Sequence, residues 1–102
     1  MKVCDVLESF SFEMKRAEHK FPGWPTDPIH AAAVLQEEAG ELVQAALQFT
    51  YEGGSLEAMR NEAVQVGAMA LRFLLNVGSV ESRPSKQVER RKTTANRPSP
   101  KC

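Results

Sequence analysis

Apolar residues recur at three- and four-residue spacing over most of the first 77 positions, which is the signature of amphipathic helices. From Val3 to Lys20 the stripe is Val6, Leu7, Phe10, Met14 and Ala17, with charged residues on the outer face. The stretch from Phe21 to Pro28 holds three prolines and a glycine in eight residues, so no regular ladder survives there and a loop is predicted. Asp27 followed by Pro28 reads as a helix cap and first helical position. A second helix is therefore predicted from Pro28 to Tyr51. On it Leu35, Leu42, Ala46 and Phe49 fall on one side, and His30, Glu37, Glu41, Gln44 and Gln48 on another, with Glu38 between them. Gly53-Gly54 stops this helix, and Ser55 caps a third that runs to about Val77, with Gly78 as terminator. In the third helix Ala58, Val66, Met69, Ala70, Phe73 and Leu74 make a broad apolar surface. Gly67, Ala68 and Ala70 allow a neighbouring helix to come close.

These elements predict an all-α subunit of three to four helices. A chain of 102 residues buries little core by itself, so a helical bundle shared between subunits, a dimer or tetramer, is expected. Beyond Gly78 apolar residues almost vanish, which divides the chain into a helical domain over residues 1–82 and a tail over 83–102. Ser85 to Lys92 has the composition of a short solvated helix, and Thr93 to Cys102 that of a disordered segment.

The formal net charge of zero hides an asymmetry. The tail carries seven Lys or Arg against Glu89 alone, a surplus of +6, which leaves −6 on residues 1–82. An acidic body speaks against nucleic-acid binding by the body, and binding through the tail is a weak expectation. Cys4 and Cys102 have no metal-type spacing, no apolar run spans a membrane, and no secretion signal opens the chain. A reduced, cytoplasmic protein is expected.

The chemistry concentrates in Gln36-Glu37-Glu38-Ala39-Gly40-Glu41-Leu42 and Asn61-Glu62-Ala63-Val64-Gln65. Helical spacing puts Glu38 and Glu41 on one face and Glu62 and Gln65 on one face, so four oxygen-bearing side chains can converge where the helices pack. Carboxylates grouped on apolar helices repel each other and resist burial, and a hard divalent cation, Mg²⁺ or Mn²⁺, is their natural compensation. Glu37 also reads as part of a solvated face. Lys20 has two readings, a cation at a helix C-terminus or a phosphate contact. Trp24 is either packed on the bundle or stacked on a ligand base, and Arg72 either pairs with a carboxylate or clamps a phosphate. His30 reads as a surface residue at a helix start.

Glu37-Glu38-x-x-Glu41 followed by Glu62-x-x-Gln65 resembles the EExxE…ExxD signature of the MazG-like all-α nucleoside triphosphate pyrophosphohydrolases, which include dimeric dUTPases and small phage-encoded members. The resemblance covers roughly Lys20 to Leu75, and it departs at Gln65, where the signature has aspartate. It implies a hydrolase that cleaves a nucleoside triphosphate to the monophosphate and pyrophosphate. Glu38, Glu41, Glu62 and Gln65 would serve as Mg²⁺ or Mn²⁺ ligands, Glu37, Glu38 and Glu41 as catalytic carboxylates, and Lys20, Trp24, Asn61 and Arg72 as substrate contacts. The rival expectation is a non-catalytic helical oligomer in which Gln65 marks a weakened metal site.

Overall fold

The computed structural model describes residues 2–77, and the expected tail, the Ser85–Lys92 segment and Gly78 lie outside the described residues. Among the described residues the fold is all-helical: α1 (Val3–Lys20), α2 (Pro28–Tyr51) and α3 (Leu56–Asn76). No strand occurs among them, and none of these helices is long and apolar enough to cross a membrane.

The caps explain where the helices begin. The Asp27 carboxylate accepts from the backbone N–H groups of Ile29 and His30, at 3.4 and 3.3 Å, with Pro28 at the position that needs no donor. The Ser55 hydroxyl accepts from the Ala58 N–H at 3.0 Å, and Glu57 sits in the favoured first turn. At the end of α2 the chain reverses through Gly53, whose φ of +73° is a conformation glycine adopts without penalty. Gly54 then donates back to the Gln48 carbonyl at 2.8 Å. A Cβ on Gly54 would stand 2.9 Å from the Gln48 carbonyl carbon, so this turn requires glycine twice, once for its φ and once for space.

Helix α3 is the centre of the fold and packs against both α1 and α2. Its approach to α1 is made over Gly67, where the Phe10 ring lies 2.5 Å from the position a Cβ would take. Ala68 beside it is fully buried, as the small-residue pattern predicts. The core of the described residues is nevertheless thin. Ala31, Ala45, Ala68 and Met69 are its buried apolar members, and no large side chain is fully buried. Of the residues placed on the apolar stripes, Leu7, Phe49, Ala58 and Leu74 stand exposed, and off those stripes so do Val43, Leu47, Tyr51 and Leu75.

Candidate metal centre and cleft

The three helices and the Phe21–Asp27 loop enclose a cleft of about 540 Å³. Each helix lends it one stripe at helical spacing. Helix α1 gives Glu13, Arg16, Ala17 and Lys20, α2 gives Val34, Glu38 and Glu41, and α3 gives Glu62, Gln65, Met69 and Arg72. Phe21, Gly23, Trp24 and Pro25 of the loop close one side.

Glu38, Glu41 and Glu62 come together here. Each offers one carboxylate oxygen within 4.8 Å of the others, with Glu41 exposed and the other two half-buried. The electrostatic cost is visible in the acidities of Glu38 and Glu62. Burial first, then the charge of Glu41, a hydrogen bond with Glu41 and the charges of Glu62 and Glu37, push the Glu38 carboxyl up to about 7. Glu62 is raised by burial and by Glu41 as well. One oxygen of Glu62, Oε2, is buried and finds no hydrogen-bond partner among the described residues. Three carboxylates at this separation, with the Glu38 and Glu62 carboxyls raised and an unpartnered buried oxygen on Glu62, form a hard-oxygen donor set that fits Mg²⁺ or Mn²⁺.

Gln65 lines the same cleft, and its amide is engaged by α1. Its Nε2 donates to Oε2 of Glu13 at 2.6 Å, across 52 residues of sequence. Glu13 also takes Arg16 Nε at 3.0 and 3.1 Å on its two oxygens, and Arg16 hydrogen-bonding holds its carboxyl below the ordinary range, with Gln65 adding to the effect. Sequence reasoning missed Glu13. The available signal was its place on the same face as Met14's neighbour Ala17 and Lys20, one helical turn apart, leading toward the loop.

Arg72 is 4% exposed, and among the described residues it pairs with no carboxylate. One terminal nitrogen donates to the Phe21 and Gly23 carbonyls at 2.7 and 3.2 Å, and the guanidinium lies 4.9 Å from the Trp24 ring centroid. Arg72 is thus first an anchor for the loop. Its Nε is buried and unpartnered among the described residues. Trp24 is half-buried, packs on Arg72 and lines the cleft. Lys20 stands at the rim, its Nζ 5.5 Å from the Phe21 ring centroid.

Two residues are not brought in. Asn61 is exposed and lines a separate shallow groove with Asp5, Glu8, Ser9 and Phe12. It leaves the substrate side because helical rotation of 100° per residue turns it away from its neighbour Glu62. Glu37 is exposed and outside the cleft lining for the same reason, and it acts on the cluster only through its charge on Glu38. His30 is exposed at the start of α2, as expected.

No family model, curated protein or solved structure matches this chain.

Proposed function

We propose that this protein is a divalent-cation-dependent nucleoside triphosphate pyrophosphohydrolase of the MazG-like type, converting a ribo- or deoxyribonucleoside triphosphate to its monophosphate and pyrophosphate. The observation that carries the reading is the convergence of Glu38, Glu41 and Glu62 in a cleft that Trp24 and Lys20 also line. Acidic residues alone would not specify a triphosphate. The aromatic wall and rim cations beside them supply what a nucleotide needs, a face for the base and positive charge for the phosphates.

Mg²⁺ or Mn²⁺ held by Glu38, Glu41 and Glu62 would neutralise phosphate oxygens and make a water acidic enough to attack the α-phosphorus. The chain's own residues do the rest. Glu41, the exposed member of the cluster, has access to water and is the carboxylate we assign to orienting or deprotonating it. Trp24, fixed against Arg72, holds the base, and Lys20 and Arg16 at the rim meet the phosphates. Glu37 contributes by repulsion toward Glu38, which strengthens the cluster's demand for a cation.

The same reading includes assembly with further copies of the chain. The exposed Val43, Leu47, Phe49, Tyr51, Leu74 and Leu75 side chains and the thin core support it, because a partner would cover them. This face equally suits a non-catalytic helical oligomer, and activity separates the two. Pyrophosphate and nucleoside monophosphate release should be followed across a panel of nucleotides with Mg²⁺ and with Mn²⁺. At least one triphosphate should be turned over, and Glu62→Gln should lower the rate roughly a hundredfold or more. No release from any nucleotide with either metal would leave the non-catalytic oligomer.

A further inference from the structure

The Gln65 amide makes a contact that the cluster does not explain. Arg16 donates to both oxygens of Glu13, at 3.0 and 3.1 Å, so both oxygens stand as acceptors in this contact. The amide end that faces it at 2.6 Å is therefore the NH₂ group, and this fixes which way the amide lies. The oxygen is left as the only acceptor that Gln65 offers to the cleft it lines, one helical turn from Glu62. Glu13 itself is well placed to hold it. Its side chain is 16% exposed and pinned by three contacts from Arg16, at 3.0, 3.1 and 3.0 Å.

We propose that Glu13 is a positioning residue for the cation site. It holds the Gln65 amide by its nitrogen, so that Gln65 presents only its oxygen to a divalent cation between Glu38, Glu41 and Glu62, and Arg16 fixes Glu13 in turn. The inference rests on the metal site of the reading above and adds to it a role for α1. A neutral amide is a weaker ligand than a carboxylate, and one free to rotate also offers a cation its repulsive NH₂ group. The bond to Glu13 removes that second state and draws electron density toward Oε1, which raises its strength as a ligand. On this account Gln65 is no vestige of a lost carboxylate. Together with Glu13 it forms a working unit, and the negative charge that α3 lacks at this position stands one residue further back, on α1.

The test is a Mn²⁺ titration of the full chain, read by the electron paramagnetic resonance of free Mn²⁺, with helicity checked by circular dichroism. Glu13→Ala should raise the Mn²⁺ Kd roughly 10- to 100-fold, the range typical of residues that orient a metal ligand. Glu13→Gln, whose amide oxygen still accepts from Gln65, should keep an affinity close to that of the native chain. Gln65→Ala should weaken binding, and adding Glu13→Ala to it should cost nothing further, because the two act as one unit. Unchanged affinity in folded Glu13→Ala overturns the inference, as do additive losses in the double variant, or a Glu13→Gln as weak as Glu13→Ala. If Mn²⁺ binds the native chain and is lost in Glu62→Gln yet ignores Glu13, only this inference fails. If the native chain does not bind Mn²⁺ at all, the metal-dependent reading fails with it.

Discussion

At the scale of single residues, the protein is organised by polar groups placed where an apolar contact would be cheaper. Glu38 is the sharpest case. Its folded-state pKa of about 7 lies above the ordinary 4.5, so its protonated form is favoured by folding. Without metal, the stability this provides is fully present below about pH 4.5 and is lost as pH rises toward and through 7, because the folded chain then binds more protons than the unfolded one. In EDTA, Tm should therefore fall between pH 5 and pH 8. Glu38→Gln, which cannot ionise, should flatten that slope, and a slope unchanged by the substitution would remove Glu38 as its source. Arg72 is the complementary case, a buried cation compensated by two carbonyls and an indole in place of a carboxylate.

At the scale of the elements, all three helices were legible in the sequence. Asp27-Pro28, Ser55 and Gly53-Gly54 are local signals whose physics is complete within a few residues, and each appears at the predicted place. The convergence of Glu38, Glu41 and Glu62 was legible too, since helical spacing fixes which residues share a face. What spacing leaves open is rotation about the helix axis and the choice of partner across the packed interface. Asn61 and Glu37 therefore fall away from the cleft, and the links from Glu13 to Gln65 and from Arg72 to the Phe21–Gly23 carbonyls, all across about 50 residues, had no sequence signal. Gly67 combines both kinds of information, readable as a small residue but not as the seat of Phe10. Gly67→Ala gains about 1 kcal/mol of helix propensity and forces a methyl group against the Phe10 ring, which costs about 1–3 kcal/mol. Chemical denaturation should show a net loss of stability, and Phe10→Leu in the same chain should recover part of it. A more stable Gly67→Ala would mean that α1 gives way easily.

At the scale of the whole molecule, the thin core sets the main expectation. With no large side chain fully buried among the described residues and long aliphatic and aromatic groups exposed on α2 and α3, a chain of this size gains most by associating. Light scattering at micromolar concentration should give a mass of at least twice 11.3 kDa, and Leu47→Glu or Leu74→Glu should reduce it. A fully helical monomer would show that the described helices are stable without cover. The central claim, however, is the cation site, and thermal denaturation with and without Mn²⁺ tests it most directly. A ligand that binds only the folded state adds about 2.7 kcal/mol at one hundred times its Kd, enough to raise Tm by several degrees in a domain of this size. Tm should rise with Mn²⁺ in the native chain and stay flat in Glu62→Gln, whereas equal Tm values in EDTA and in saturating Mn²⁺ would contradict the account.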